Sequence, residues 1–261
     1  MDFTSNFAAL APQAATRLGQ EMDRNGFAVL PDFLSAAQLR QAQDQVLGEV
    51  DRRPSEFFAL HGIESMDGTV LGGLGASSAF RQLLADLYRT AAGKPADDEE
   101  RIFPVIRCLQ GQSGRRESHF YHFDGSVVTA LVPLFIPEGD SDCGHLISFA
   151  NIRPVRRSVL ANVVEKAVLH NRLSQKLTAF AVQRQLLKPM TIKLVPGNVY
   201  LFWGYCSLHA NDWCAPHRLR ATALYHFGDP HRDSALGRLL LGSDKRRAKL
   251  DYNGLRRAAP R

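Results

Sequence analysis

PGNVYLFWGYCSLHAN, residues 196–211, is the stretch on which the fold turns. Pro196-Gly197-Asn198 is a turn signal, the apolar and aromatic run 198–203 has the composition of a strand, and a histidine, His209, follows it. Working outward, further strand candidates lie at 103–110, 119–124, 127–136, 145–149, 190–195 and 220–227, rich in Val, Ile, Phe, Tyr and Thr. Gly111-Gln112-Ser113-Gly114 and Glu138-Gly139-Asp140 punctuate them as turns. Many short strands separated by turns predict a sandwich or jelly roll rather than an alternating α/β sheet. The one interruption, 155–188, is basic and rich in Leu and Val, and reads as one or two helices.

The N-terminal part has a different character. Pro12 to Asn25 is compatible with a helix that stops at the Asn25-Gly26 pair. Phe27-Ala28-Val29-Leu30 reads as a short strand closed by Pro31. Ser35, with Gln38 three residues on, has the spacing of a capping box. Leu39, Ala42, Val46 and Val50 follow at helical intervals until Arg53-Pro54 ends the run. Residues 55–76 are Gly-rich and read as an irregular loop over one end of the fold. Ser78 to Ala92 is the next helix, with Phe80, Leu83, Leu84 and Leu87 on one side and Gly93 closing it. One domain over 1–261 is expected: helical support at 1–100, a jelly-roll core at 101–230 with its insert at about 155–188, and a basic segment at 231–261.

Composition narrows the classes. The 261 residues are 45% hydrophobic and 22% charged, ordinary globular usage in a chain long enough to bury a core without disulfide or metal staples. No apolar stretch approaches the roughly 18 residues of a membrane span. Disordered, collagen-like, coiled-coil and membrane-spanning classes are thereby excluded. The N-terminus lacks the basic start and apolar run of a secretory signal, and four Cys without framework spacing fit a reducing compartment, so a cytoplasmic location is expected. The net charge of +6 is uneven: residues 1–150 hold 12 Lys/Arg against 20 Asp/Glu, and residues 151–261 hold 20 against 6. Such polarity fits an anionic partner. Nucleic acid is not expected, because aromatic interleaving and known nucleic-acid motifs are missing, and two halves facing each other explain the charge more simply.

Three features carry chemistry: His122-Phe123-Asp124 in the 119–124 candidate, His209, and Arg220 at the start of the last strand. Residues i and i+2 of a strand project to one side, so His122 and Asp124 can grip one ion together. A second imidazole from His209 completes the two-histidine, one-carboxylate set of non-haem Fe(II) oxygenases, which leaves coordination positions open. A guanidinium such as that of Arg220 suits the far carboxylate of an organic acid.

Taken together, these residues make the chain resemble the Fe(II)/2-oxoglutarate-dependent dioxygenases, specifically the phytanoyl-CoA dioxygenase-like branch, over most of its length. NGFAVLPDFLSAAQLRQAQDQV (25–46) looks like that branch's opening, YHFDGS (121–126) matches its H-x-D, PGNVYLFWGYCSLHAN its distal histidine, and RATALYHF (220–227) its arginine strand. The resemblance implies a double-stranded β-helix, a cupin-like jelly roll that is mainly β with flanking helices. It implies His122, Asp124 and His209 as iron ligands and Arg220 as the 2-oxoglutarate anchor, with Arg107 a candidate for further co-substrate contacts or for a buried ion pair. It also implies hydroxylation of a C–H bond in a small-molecule or carrier-bound substrate, using O2 and releasing succinate and CO2. Asp124 stands where related halogenases lack a carboxylate, so a hydroxylase is the expected outcome.

The match has gaps. GHLISFANIRPVRR replaces the family's usual Gly-Ser-His stretch, and alternation along the strand does not separate Arg218 from Arg220; family spacing prefers Arg220. The insert and the loop 55–76 are the expected lids, and Arg153, Arg156, Arg157, Lys166 and Arg172 favour an acidic or carrier-bound substrate. Tyr121, Phe123, Phe202 and Trp203 read as core or pocket wall, and His119 and His226 as possible pocket lining. Two other readings compete: a jelly-roll binding protein without turnover, and a structural zinc site built from Cys206, His209, Cys214 and His217 in a C-x2-H-x4-C-x2-H array. G-x-S-x-G, H-E-x-x-H and glycine-rich phosphate loops are absent from the sequence, which removes the usual support for hydrolase, zinc-protease and kinase readings.

Overall fold

The computed structural model describes residues 3, 6–7, 13–139, 141–155 and 172–231. Its helices are α1 (Ala14–Asn25), α2 (Ala36–Arg52), α3 (Val70–Ala76), α4 (Ser78–Ala92), α5 (Gly111–Arg116) and α6 (Arg172–Gln183). Its strands are β1 (Ala28–Leu30), β2 (Phe58–His61), β3 (Phe103–Leu109), β4 (Val128–Phe135), β5 (Leu146–Phe149), β6 (Met190–Ile192), β7 (Val199–Phe202), β8 (Leu208–Asn211) and β9 (Arg220–Phe227). A major sheet runs β1-β7-β4-β9-β3-β2 and a minor sheet β6-β5-β8, every pair antiparallel. This is the double-stranded β-helix architecture, mainly β with flanking helices, and the two sheets do not close into a barrel. None of the described helices is long and apolar enough to cross a membrane.

Strand alternation decides which face goes where. Val128, Ala130, Val132 and Leu134 of β4 join Ala221, Ala223, Tyr225 and Phe227 of β9, Ile106 and Cys108 of β3, and Val199 and Leu201 of β7 in one large core. The helices supply the other side: Leu18 and Met22 of α1, Val46 of α2, Leu71 and Leu74 of α3, and Phe80, Leu84 and Leu87 of α4. Local signals set the helix ends. Gly26 takes a left-handed φ of 80° to close α1, and Ser35 and Gln38 exchange both bonds of the capping box at α2. Buried Tyr225 donates its hydroxyl to the Leu71 carbonyl at 2.9 Å, tying β9 to α3. Tyr225→Phe removes that bond between β9 and α3, and a loss of about 0.5–1.5 kcal/mol is expected in urea unfolding. An unchanged midpoint would show the bond contributes nothing.

The opposite face of the major sheet turns toward the minor one. Leu131, Tyr200 and Phe202 pack against Leu146, Ile192 and Leu194. Toward β9 and β3 the same face carries polar groups instead: Thr129, Arg220, Thr222 and His226, with Arg107 directly opposite Thr222. This row is where the two layers hold chemistry.

Several expectations change. Residues 119–124 do not form a regular strand: His119 has φ of 58°, and His122 makes an isolated bridge to His209. The region 55–76 is not an irregular loop, because it contains β2, a short 3-10 turn at Ile63–Ser65 and α3, whose Val70, Leu71 and Leu74 enter the core. Its glycines misled the reading: Gly72 is needed for close packing, since a Cβ there would meet the Met66 carbonyl. The turn expected at 111–114 winds into α5, and the histidine placed after a strand lies on one, β8. Of the insert at about 155–188, α6 is described; residues 156–171, with Arg156, Arg157 and Lys166, lie outside the described residues, as do His170 and the basic segment from 232 on.

Candidate functional site

The site begins with a backbone bridge. His122 and His209 exchange both backbone bonds, N–H to carbonyl at 3.0 Å in each direction, so two positions far apart in sequence are locked side by side. β8 supplies His209 through its pairing with β5, where His209 stands opposite Ser148. Asp124 is placed by its own N–H, which donates to the Gly204 carbonyl at 3.0 Å. Asp124 Oδ1 then lies 3.7 Å from His122 Nε2 and 3.6 Å from His209 Nε2. One ligand atom from each residue falls within 4.8 Å of the others, and among the described residues no other set of three or more His, Cys, Asp or Glu does this.

The hydrogen bonds fix the tautomers. His122 Nδ1 meets the Phe120 carbonyl and His209 Nδ1 the Ser207 carbonyl, each at 2.9 Å. A carbonyl only accepts, so both Nδ1 atoms donate to the backbone and both Nε2 atoms are left turned toward the carboxylate. Burial, then the neighbouring His209, pushes the His122 imidazole down to about 3, so it stays neutral. Burial opposes the charge on Asp124, but His209, His226, His122 and the Thr129 hydroxyl outweigh it and hold the carboxyl well below the usual range. Two imidazole Nε2 atoms and an ionised oxygen therefore face one another. That donor set fits a divalent cation of borderline softness. His209 and Asp124 are buried, while the His122 side chain is 23% exposed, so the site opens on its side.

Of a supporting layer, the sequence pointed only to His226, as possible pocket lining, and not to Thr129 or Gly204. Thr129 Oγ1 donates to Asp124 Oδ2 at 2.5 Å, and His226 Nδ1 lies 3.7 Å from the same oxygen. Thr129 pairs with His226 across β4 and β9. The signal was available: His226 falls on the alternation of Arg220, Thr222 and Leu224. Gly204 belongs to the layer too, because a Cβ there would come well under 3.0 Å from Asp124 Oδ2 and Thr129 Oγ1.

Arg220 is 3% exposed. Its Nε donates to the Gly144 carbonyl at 2.5 Å and its Nη1 approaches Thr222 Oγ1 at 3.4 Å. No acid of the described residues pairs with it, and burial followed by the nearby Arg107 lowers it to about 10. A buried cation without a carboxylate is costly unless an anion arrives. Arg218 is separated from it after all: β9 starts at Arg220, and Arg218 lies on the preceding turn, donating to the Ser141 carbonyl at 3.1 Å. Arg107 has a partly exposed side chain, with Glu117 Oε2 at 3.5 Å and the Phe57 ring centroid at 5.7 Å.

Other candidates go elsewhere. Cys206, His209, Cys214 and His217 do not assemble into a zinc cage: Cys206 has Arg153 and Asp23 as electrostatic neighbours, while the backbone of Cys214 pairs with that of Cys143, both cysteines being free thiols. Arg153, expected near a substrate, is buried between the rings of Phe123 and Tyr205, 3.7 and 4.2 Å from their centroids. His119 contacts Asp212 at 2.8 Å and stacks on Trp213. His145 accepts from the Leu194 N–H.

No protein-family model matches the sequence, and no curated protein matches it. Solved structures do. A prolyl 4-hydroxylase structure from Phytophthora capsici is 14% identical, covers 90% of this chain and 68% of its own, and superposes with a TM-score of 0.55. A prolyl hydroxylase from Trichoplax adhaerens, in complex with a hypoxia inducible factor peptide fragment, is 15% identical, with 89% and 94% covered and a TM-score of 0.52. HygX from Streptomyces hygroscopicus, with nickel and 2-oxoglutarate bound, is 13% identical, with 81% and 86% covered and a TM-score of 0.51. At these identities the likeness is one of fold.

Proposed function

We propose that the chain is a non-haem Fe(II)- and 2-oxoglutarate-dependent oxygenase in which His122, Asp124 and His209 hold the metal and Arg220 receives the far carboxylate of 2-oxoglutarate. The carrying observation is the convergence of two imidazole Nε2 atoms and one ionised carboxylate on a single point, with both Nδ1 atoms engaged by backbone carbonyls. When bound, the iron and 2-oxoglutarate supply O2-dependent oxidation of a substrate C–H bond, with succinate and CO2 as co-products.

The chain's own residues prepare that chemistry. The Phe120 and Ser207 carbonyls hold both imidazoles in the tautomer that ligates. Thr129 and His226 keep the Asp124 carboxylate ionised and aimed. Gly144 and Thr222 orient the Arg220 fork, and Thr222 adds a hydroxyl beside it. Leu131, Tyr200 and Phe202 make the neighbouring wall apolar, which strengthens every charge interaction inside. The F-L-S opening, the H-x-D and the spacing to Arg220 support the phytanoyl-CoA dioxygenase-like branch, a single oxygenase domain and hydroxylation as the outcome.

Anaerobic titration of the full chain tests this. One Fe(II) per chain is expected, followed by a visible charge-transfer band on adding 2-oxoglutarate. Failure to retain metal sinks the reading. Metal and 2-oxoglutarate binding with no succinate on exposure to O2 and a broad substrate panel would favour the binding-protein alternative.

A further inference from the structure

Two guanidiniums, not one, face the space between the sheets. Arg220 stands opposite Leu109, and Arg107 lies one inward-facing position along β3, opposite Thr222. Their surroundings differ. Arg107 acts electrostatically on Asp124, His122 and His226, the cluster at the candidate metal site. The charged and titratable groups around Arg220 are Arg107, Cys214, Cys108 and His145. Arg107 thus reaches toward the candidate ligands from a side chain 24% exposed, while Arg220 sits deep and away from them.

Arg107 is also weakly engaged. Its one acidic partner among the described residues, Glu117, is 3.5 Å away and 39% exposed. Charge-assisted bonds are typically about 2.7–2.9 Å, and an exposed pair at this separation contributes little. Phe57 shields one side of the guanidinium. The walls nearby are aromatic. Phe103 lies beside His226 across β3 and β9, stacked on His61 with centroids 6.3 Å apart, and exposed Phe120 has its ring 6.0 Å from that of His122.

Of the two inward-facing guanidiniums, Arg107 is the one with an accessible side. We infer that Arg107 is the seat of the substrate's own anionic group, and that the substrate is a carboxylate with an apolar body. This rests on the oxygenase reading and reassigns Arg107 from the co-substrate to the substrate.

The test uses the full chain loaded with Ni(II), which blocks turnover, and saturated with 2-oxoglutarate. The probes are 3-phenylpropionate and its neutral amide, followed by calorimetry. The carboxylate should bind about tenfold more tightly than the amide, the value of one charge-assisted hydrogen bond. Arg107→Gln should erase that preference and leave 2-oxoglutarate affinity unchanged, which also reports that the variant is folded. Glu117→Gln, at an exposed position, should tighten the carboxylate and not the amide, by removing a competing anion. Equal or absent binding of the two probes to the wild type overturns the inference. So does an Arg107→Gln variant that weakens 2-oxoglutarate while keeping the probe preference. A wild type that binds no 2-oxoglutarate removes the oxygenase reading and the inference with it, whereas intact 2-oxoglutarate binding with either preceding result removes only the substrate seat.

Discussion

Gly204→Ala is expected to weaken Fe(II) binding by about 10–100-fold without touching any ligand, the range seen when an outer partner of a metal site is lost. The added methyl would overlap Asp124 Oδ2 and Thr129 Oγ1. The Gly204 carbonyl also holds the Asp124 N–H. The carboxylate cannot yield cheaply, because it is buried and its oxygens already face His122, His209, His226 and Thr129. Asp124→Asn should go further, beyond about 100-fold, since it removes the one negative charge of the donor set. Equilibrium dialysis under anaerobic conditions measures both, with circular dichroism to confirm the fold. A Gly204→Ala protein that binds Fe(II) like the wild type would show that the carboxylate at 124 is not a ligand, or that the loop yields more freely than its packing implies.

The second large effect concerns the co-substrate. Arg220→Gln should lower 2-oxoglutarate affinity by about 100-fold or more, because two charge-assisted hydrogen bonds at about 1.5–3 kcal/mol each are lost. Fe(II) affinity should stay near the wild-type value. The melting temperature should hold or rise, since a buried cation with no acidic partner is removed. Gly144→Ala offers an independent route to the same loss: its φ of 68° disfavours a side chain, and the new Cβ would lie 2.5 Å from Arg220 Cδ. Arg218→Gln should change neither affinity, because that side chain serves the Ser141 carbonyl on the turn before β9. If Arg218→Gln weakens 2-oxoglutarate and Arg220→Gln does not, the anchor is the arginine of the turn before β9 and not the one that opens the strand.

Much of the architecture was legible in the chain because it rests on local chemistry. The capping box of α2, the glycine stop of α1, and the strand runs around β4, β7 and β9 are written in adjacent residues, and they form as read. The 119–124 segment was harder. Its composition suggested a strand that would set His122 and Asp124 on one side, yet a single bridge to His209 holds the segment and its neighbour His119 takes a left-handed conformation. The glycines of 55–76 were read as looseness, whereas Gly72 allows α3 to press against the backbone of Met66. Propensity does not distinguish a glycine that loosens a chain from one that permits contact.

By itself the sequence determined the class of fold and which side chains were able to ligate, because residue type and periodicity are local properties. Only the tertiary structure decided that residues 122, 124 and 209 meet, that Thr129, His226 and Gly204 support the carboxylate, that Arg220 rather than Arg218 is buried without an acid, and that Cys206 and Cys214 stand apart. Those outcomes depend on which strands pair and in what register, and register is set by the burial of whole sheet faces that no single stretch of chain contains.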